Sequence, residues 1–226
     1  TIDTTSVSDT STEDPNTDLY ITHIRLSDGR RLGNQMFRYA SLLGIARHLG
    51  RKLVILTGSD LEKTFRLRHV VTNDNITDWQ VITETNGLEF NTTLLNLPLK
   101  NCKIGGYLQS FKYFATIADE LRIEYTFHDS IDYAAAIILH DVRAKFKGSI
   151  IVGVHIRRGD FLKDFNIRLG YIIPEKSYFI KAFDYMKSTF SGRNITFLIV
   201  SDDISWCNAN LIGTNILVAS PASAAV

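Results

Sequence analysis

Two apolar runs separated by a helical pattern constrain the fold of this chain more than any other feature of its sequence. Residues 149–156 (SIIVGVHI) and 195–200 (ITFLIV) have the length and the near-continuous apolar character of strands that are covered on both faces. Between them, residues 174–190 carry apolar side chains at helical spacing, and Pro174 suits the first turn of that helix. Strands that alternate with helices of this length predict an α/β protein with a mainly parallel sheet.

The same alternation is present in the first part of the chain. Residues 19–26 (LYITHIRL) predict a strand, which a glycine-containing loop follows. The apolar pattern of residues 34–46 then predicts a helix that stops at Gly50. Residues 52–56 (KLVIL) predict the next strand, so this part of the chain forms a second strand, helix and strand unit.

The remaining segments differ in how much structure they predict. Residues 129–146 show a clear amphipathic helical pattern, and residues 215–219 predict one more short strand. The stretch from 57 to 101 is mixed in pattern and predicts no defined element. Residues 1–18 contain almost nothing apolar and cannot offset the entropy of ordering, so they are predicted to be a flexible stem.

The charge balance excludes some classes of partner. The 25 basic and 24 acidic residues give a formal net charge of +1, so no long-range field draws the chain to nucleic acid or to anionic lipid. No apolar run approaches the roughly 18 residues of a membrane helix, so membrane attachment requires an anchor outside this sequence. We expect such further sequence, because the chain opens on Thr1 and closes on SPASAAV. Any recognition of anions must therefore be local.

Cysteines and glycosylation sequons carry little information about the compartment. Cys102 and Cys207 are too few and too far apart for a disulfide scaffold or a metal site, and they predict two free thiols, with one disulfide as the alternative. Sequons begin at Asn75, Asn91 and Asn194. With 13 asparagines and 36 serines or threonines among 226 residues, about two such triplets arise by chance. They permit a secretory route without establishing it.

Polar clusters follow both apolar strands of the second half, at residues 155–160 and 201–203. In parallel sheets, ligands bind beyond the carboxyl ends of the strands. Arg157 and Arg158 lie at such an end, and guanidinium groups bind phosphate bidentately, which favours an anion site. The alternative is that one arginine pairs with Asp160 or another carboxylate as part of the scaffold. Strand alternation also sends neighbouring side chains to opposite sides, so the two arginines need not share one ligand.

The other residues of these clusters have competing interpretations. Asp202 and Asp203 fit best if one caps the following helix and the other binds the hydroxyls of a polyol. No further carboxylate or histidine cluster supports a metal site there. His155 is the one histidine inside the candidate site, although a histidine in a strand is more often a satisfied core residue.

A second polar segment lies in the first half of the chain. Gly33, Asn34 and Gln35 are predicted to form a loop that feeds a helix, where unpaired N–H groups favour an anion or a sugar hydroxyl. The alternative is that Asn34 simply caps the helix. The spacing does not match a dinucleotide-binding fingerprint.

Four motifs, followed by SPAS, occur in an order that resembles the α-1,2-fucosyltransferases of glycosyltransferase family 11. The resemblance spans roughly residues 19–222. The arrangement H-x-R-R-G-D is similar to a motif shared with α-1,6- and protein O-fucosyltransferases, whereas GNQMF and SDDI-x-WC favour family 11. The four motifs are GRRLGNQMFRYASLLGIA, GYLQSFKYF, VGVHIRRGDF and FLIVSDDISWCNANL.

The resemblance implies a GT-B-like α/β fold of two Rossmann-type domains with mainly parallel sheets. Residues 19–147 would form the N-terminal domain on the acceptor side, and residues 148–226 the C-terminal domain that binds GDP-fucose. Members of the family usually continue through a last strand and a motif rich in serine and tryptophan. Because this sequence stops at Val226, the C-terminal domain is expected to be incomplete.

The resemblance also implies roles for the matching residues. Arg157 and Arg158 would contact the diphosphate, with Arg158 assigned to catalysis. His155 and Asp160 would position the loop around the donor, and Asp160 is the best-placed candidate for a general base. The other matching residues would line the nucleotide-sugar pocket (Ser201, Asp202 and Asp203) or approach the fucose or the acceptor (Asn34 and Gln35).

The reaction implied is the inverting transfer of L-fucose from GDP-fucose to the 2-hydroxyl of a terminal galactose or similar sugar on a glycan. No cofactor is expected, and fixed arginines could neutralise the diphosphate without a metal ion. The alternatives are a catalytically silent protein that binds sugar nucleotides or glycans, and a GDP-sugar hydrolase. The family layout implies the Golgi lumen, as a type II membrane protein, for a eukaryotic source and the cytoplasm for a bacterial one.

Overall fold

The computed structural model describes residues 18–24, 31–55, 58–68, 70–72 and 75–219. The predicted stem lies outside these ranges except for Asp18. The chain divides into two compact units between His128 and Asp129. The predicted boundary at residue 147 lies later in the chain, after the helix over residues 129–145. A connection of only four residues, 146–149, joins that helix to the next strand, so the helix stays with the second unit.

The first unit contains a five-stranded sheet formed by β1 (Tyr20–His23), β2 (Lys52–Ile55), β3 (Val70–Thr72), β4 (Gln80–Thr83) and β5 (Cys102–Gly105). Their order in the sheet is β3-β2-β1-β5-β4, and every neighbouring pair is parallel. Among the described residues of this unit, three helices accompany the sheet, and short 3₁₀ turns cover Thr92–Leu95, Phe111–Tyr113 and Ala115–Ile117. The helices are α1 (Leu32–Leu49), α2 (Asp60–Thr64) and α3 (Ala118–Glu124).

Helix α1 is the central element of the first core. Its buried side chains, among them Tyr39, Leu42 and Leu43, are inaccessible to solvent. The predicted stop is confirmed, because Gly50 takes a left-handed conformation with φ of 65° and its N–H bonds the carbonyls of the last turn. Gly44 permits close packing, since a Cβ there would lie 2.0 Å from the backbone oxygen of Tyr113.

The predicted loop at Gly33, Asn34 and Gln35 is wrong, because these residues form the first turn of α1. Arg31 takes the N-cap position in an extended conformation, and its carbonyl accepts the N–H groups of Asn34 and Gln35. Asn34 is therefore inside the helix and does not cap it.

The described residues of the second unit form a three-stranded parallel sheet from β6 (Ile150–Ile156), β7 (Ile195–Ser201) and β8 (Ile216–Val218). The strands lie in the order β6-β7-β8. A 3₁₀ turn at Asp160–Leu162 follows β6. The helices are α4 (Asp129–Lys145), α5 (Asp164–Arg168), α6 (Lys176–Thr189) and α7 (Ile204–Asn210). Because Glu175 is the N-cap of α6, Pro174 precedes this helix and does not lie in its first turn.

The prediction that both long strands are covered on both faces holds for β7 and is wrong for β6. The first five residues of β7 are buried, and Phe197 stacks on Phe183 of α6 with ring centroids 4.2 Å apart. In β6 only Ile156 is buried, and Gly153 and His155 are exposed. The reason is position, since β6 lies at the edge of the sheet formed by the described residues. Helix α4 is similarly open, with Val142 as its one buried residue.

The prediction of two free thiols is confirmed. Cys102 and Cys207 are both buried and unpaired, and they belong to different units. Among the helices that the structure describes, none combines the length and apolar character that a bilayer crossing demands.

Buried tyrosines of the first unit predict a loss of stability at alkaline pH. The Tyr39 hydroxyl donates to Glu124 Oε2 at 2.5 Å, and the Tyr113 hydroxyl lies 3.2 Å from Glu84 Oε1. Burial, reinforced by these carboxylates, raises the pKa of Tyr39 far above its ordinary value and the pKa of Tyr113 to about 12. Between the unfolded pKa of about 10 and the raised folded value, the unfolded chain binds fewer protons. Stability should therefore be level below about pH 10 and fall above it, by about 1.4 kcal/mol per pH unit for each such tyrosine.

Thermal unfolding between pH 8 and pH 11.5 checks this expectation through Tyr39→Phe, which should flatten the alkaline decline. Tyr133→Phe, at an exposed position of α4, is the matched control and should leave the slope unchanged. An equal effect of both substitutions would contradict the assignment to buried hydroxyls.

Candidate active site

The two polar clusters lie side by side at the carboxyl edge of the second sheet. Strands β6 and β7 are parallel and pair Ile156 with Ser201, so the residues that follow each strand emerge at the same edge. Arg157 and Arg158 continue from β6, while Asp202 and Asp203 continue from β7. This is the edge at which open parallel sheets bind their ligands.

Arg157 is held by a carboxylate and an aromatic ring from its own loop. Its Nε donates to Asp160 Oδ1 at 3.0 Å and its Nη2 donates to Asp160 Oδ2 at 2.6 Å. The guanidinium carbon lies 4.6 Å from the centroid of the Phe161 ring, which stacks on Tyr171. The hydrogen bonds to Asp160 raise the pKa of Arg157 above its ordinary value. The scaffold alternative, pairing with Asp160, is thus present for this arginine.

Arg158 is held in the same manner by the neighbouring strand. Its Nε donates to Asp203 Oδ2 at 3.1 Å, and its guanidinium carbon lies 3.9 Å from the centroid of the Trp206 ring. Only 13% of its side chain is exposed, compared with 32% for Arg157. Arg158 is therefore the more firmly fixed of the two cations.

Asp202 fixes the backbone of the loop after β6 at Arg158 and Gly159. Its Oδ1 accepts the N–H of Arg158 at 2.7 Å, and its Oδ2 accepts the N–H of Gly159 at 3.2 Å. A Cβ at Gly159 would lie 2.9 Å from Asp202 Oδ2, so a side chain there would displace the carboxylate. Asp202 thus ties the end of β6 to the end of β7.

Asp203 and Ser201 organise the start of α7. Asp203 Oδ1 accepts the N–H of Trp206 at 3.0 Å, which confirms the prediction that one of the two aspartates caps this helix. The hydroxyl of Ser201 accepts the N–H of Asp203 at 2.9 Å. Asp203 therefore joins the helix, the strand end and Arg158.

This cluster contains carboxylates as well as guanidinium groups, and its net charge is not positive. Two guanidinium groups face three carboxylates (Asp160, Asp202 and Asp203), which leaves a formal charge of −1. A guanidinium carries five N–H donors, so a carboxylate that accepts two of them leaves capacity for other oxygens. The cluster can therefore bind an anion through guanidinium N–H donors that are held in place by their neighbours. It does not bind through an excess of positive charge.

His155 and the residues of the first unit are placed differently. His155 is exposed on the open face of β6 and is not the buried core histidine that its strand position favoured. In the first unit, Asn34 is exposed and its Oδ1 accepts from Gln109 Nε2 at 3.0 Å. Gln35 is 1% exposed and its Nε2 donates to Asp60 Oδ2 at 3.3 Å.

The two aromatic rings beneath the guanidinium groups were not assigned from the sequence. Trp206 and Phe161 follow the polar clusters closely, but nothing in their spacing shows which ring meets which cation. One feature of the sequence could have placed Trp206 near the site. An N-cap side chain bonds the N–H of the residue three positions later, and for Asp203 that residue is Trp206. Among the described residues, no group of three or more His, Cys, Asp or Glu side chains could hold a metal ion.

Asp202→Asn separates the structural role of this carboxylate from its charge. By charge alone, removing an anion beside the arginines would tighten the binding of a diphosphate. An asparagine replaces one of the two accepting oxygens by an NH₂ donor, however, and that donor would face one of the two backbone N–H groups. We expect binding of GDP, the ligand that the family resemblance implies, to weaken about fivefold to tenfold, which corresponds to about 1–1.4 kcal/mol and to the loss of one ordinary hydrogen bond.

Isothermal titration with GDP measures the effect, and Asp164→Asn, at an exposed carboxylate in the first position of α5, is the control. Tighter binding by Asp202→Asn would overturn the assignment of Asp202 as the group that fixes the loop.

The sequence matches a known family and its curated members. The profile of Glycosyl transferase family 11 matches residues 15–219. The chain is 29% identical over 194 residues to galactoside alpha-(1,2)-fucosyltransferase 1 of Rattus norvegicus, covering 82% of this chain and 50% of that protein. The same enzyme of Homo sapiens is 29% identical over 189 residues, covering 80% and 51%. The chain thus spans about half the length of the curated relatives it matches.

Solved structures similar to this chain show its fold. Fucosyltransferase NodZ from Bradyrhizobium superposes with a TM-score of 0.55 at 13% identity, covering 91% of this chain and 80% of that one. NodZ alpha-1,6-fucosyltransferase soaked with GDP-fucose gives a TM-score of 0.55 at 14% identity, covering 92% and 80%. The predicted GT-B-like α/β fold with parallel sheets is confirmed.

Proposed function

Because the chain belongs to glycosyltransferase family 11, we propose that it transfers L-fucose from GDP-fucose to the 2-hydroxyl of a terminal galactose, or a similar sugar, on a glycan. The observation that carries the proposal is the pair of arginines at the carboxyl edge of the second sheet, each held by an aromatic ring and a carboxylate. The galactoside alpha-(1,2)-fucosyltransferases among its relatives support the acceptor class.

The proposed chemistry is a single displacement with inversion. The acceptor hydroxyl attacks the anomeric carbon of the fucose from the face opposite the diphosphate, the bond to GDP breaks, and the hydroxyl loses its proton. Negative charge grows on the diphosphate as the bond breaks. Arg158, fixed by Trp206 and Asp203, can stabilise that charge without rearranging, which is the condition under which electrostatic catalysis is strongest.

Asp160 is the residue predicted from the sequence as the candidate general base for the acceptor hydroxyl. Its two hydrogen bonds to Arg157 support a different role, in which Asp160 positions that arginine. A general base contributes about 10² to 10⁴ in rate. A transition state with strong positive charge on the sugar ring reduces the demand for one.

We propose that the reaction proceeds without a metal ion. The support is the pair of guanidinium groups, whose fixed donors can neutralise the leaving diphosphate. Retention of transfer in EDTA would support this proposal, and a requirement for added Mg²⁺ or Mn²⁺ would overturn it.

For a eukaryotic source we propose the Golgi lumen, with membrane attachment through a segment outside this sequence. The Thr- and Ser-rich residues 1–18 support a lumenal domain, and the sequons permit one. Colocalisation of the tagged full-length protein with a Golgi marker tests the proposal, and a cytosolic distribution would overturn it.

The experiment that tests the function follows GDP release from GDP-fucose with and without a β-galactoside acceptor, and identifies the linkage of the product by NMR. Acceptor-dependent release with fucose on the 2-hydroxyl supports the proposal. Release that is independent of acceptor would indicate a hydrolase. Binding of GDP-fucose with no release would indicate a silent binding protein.

A further inference from the structure

The three sequons differ in the structural state of their asparagines. Asn91 already uses its side chain, because its Oδ1 accepts the N–H of Thr93 at 3.0 Å and the Thr93 hydroxyl at 2.7 Å. Asn75 lines a polar pocket of about 800 Å³ together with Asp78 and Trp79. Asn194 is exposed, and its side chain has no hydrogen-bond partner within the part of the chain that the structure describes. Asn75 and Asn194 are both exposed, and Asn194 is the one of the three whose side chain neither lines that pocket nor accepts the local hydrogen bonds that Asn91 accepts.

Asn194 lies in the turn that leads into β7, at the amino edge of the second sheet. Its backbone carbonyl accepts the N–H of Ile150 at 2.7 Å, which fixes the turn, and the residue itself is exposed. The preceding residues 191–193 are exposed as well, so a bulky group at this position meets open space. Strand β7 has seven residues, which places Asn194 about 20 Å from the arginines at the opposite edge.

Thr196, the third residue of this sequon, lies in an environment that does not suit it. It belongs to the central strand of the second sheet and is 0% exposed. Its hydroxyl is buried and has no hydrogen-bond partner among the described residues. A buried hydroxyl without a partner destabilises a fold, whereas valine has the same shape and β-branching without the hydroxyl. The fold alone would therefore favour valine at this position.

We propose that Asn194 carries an N-linked glycan and that the hydroxyl of Thr196 serves the sequon and not the fold. The inference rests on the secretory location proposed above and is independent of the transferase activity. The oligosaccharide comes from a lipid-linked diphosphate donor: a bond forms between its anomeric carbon and Asn194 Nδ2, the bond from that carbon to the diphosphate breaks, and the amide loses a proton. Because the Thr196 hydroxyl is buried in the folded unit, the transfer precedes the folding of β7.

The test expresses the chain through the secretory pathway of cultured eukaryotic cells and treats the product with a peptide N-glycosidase in ¹⁸O-labelled water. Conversion of Asn194 to labelled aspartate, read by mass spectrometry, is the expected result. Thr196→Ser should keep the glycan, and Thr196→Val and Asn194→Gln should lose it. An unmodified Asn194 in the parent would overturn the proposal.

A second measurement separates the sequon from a structural role of the hydroxyl. In bacterially expressed protein, which carries no glycan, Thr196→Val should raise the Tm by about 2–4 °C because it removes an unpaired buried hydroxyl. A lower Tm would show that the fold uses the hydroxyl and would overturn the argument. Asn194→Gln should leave GDP binding unchanged, so failure of this proposal is distinguishable from failure of the proposed function.

Discussion

Arg158→Ala is expected to weaken the binding of GDP-fucose by about 10- to 150-fold, which is the loss of charge-assisted hydrogen bonds worth about 1.5–3 kcal/mol. The substitution removes a guanidinium that is 13% exposed and lies 3.9 Å from the Trp206 ring centroid. It also leaves the Asp203 carboxylate without its partner, and that charge then repels the diphosphate. Both effects act in the same direction. Isothermal titration of GDP-fucose and GDP-mannose in the presence of EDTA measures them.

Two further variants make this result specific. Arg158→Lys keeps the charge but not the planar donors or the stacking, and it should bind with intermediate affinity. Arg193→Ala removes an exposed arginine at the opposite edge of the same sheet and should change nothing. Equal affinities of the parent and Arg158→Ala would contradict the assignment of Arg158 to the diphosphate.

Gly44→Ala should lower the free energy of unfolding by about 3 kcal/mol, the upper range for overpacking a dense core. In an exposed helix the same change stabilises by about 1 kcal/mol, so the sign here is reversed. The reason is the 2.0 Å separation between the new Cβ and the backbone oxygen of Tyr113. That segment cannot yield easily, because the Tyr113 hydroxyl accepts from Asn91 N–H at 2.8 Å and also contacts Glu84.

Gly33→Ala is the matched control, because it lies in the first turn of the same helix and a Cβ there has nothing within 4 Å. It should leave stability unchanged or raise it by up to about 1 kcal/mol. Thermal unfolding of both variants decides the matter. A Gly44→Ala protein as stable as Gly33→Ala would show that the contact between α1 and Tyr113 is looser than the geometry indicates.

The long, strongly patterned elements of the fold were predictable from the sequence. Helix α1 and strand β7 carry periodic or continuous apolar side chains, and Gly50 marks the end of the helix. Strands β4 and β5 were not predicted, because four residues such as CKIG contain too few apolar side chains to form a pattern. The exposure of β6 could not be predicted from the sequence either. The burial of a strand depends on its place in the order of the sheet and not on its own amino-acid composition.

The candidate site was predictable in location and less so in its contacts. Polar residues after apolar strands predicted the carboxyl edge, and the parallel register of β6 and β7 brings them together. The position of Asp202 and Asp203 ahead of a predicted helix predicted that one of them caps it, and Asp203 does. The stacking of Arg158 on Trp206 required the direction of α7 relative to β6, which no local pattern contains.

The rings and carboxylates that hold the two arginines also bear on the kinetics of donor binding. A long cationic side chain in solvent gives up about 2 kcal/mol of rotamer entropy when a ligand fixes it. Arg157 and Arg158 are already restrained before any anion arrives, so little of that loss remains to oppose association. Association of a nucleotide sugar should therefore need no slow rearrangement of the loop. Different nucleotide sugars should then differ mainly in their dissociation rate constants.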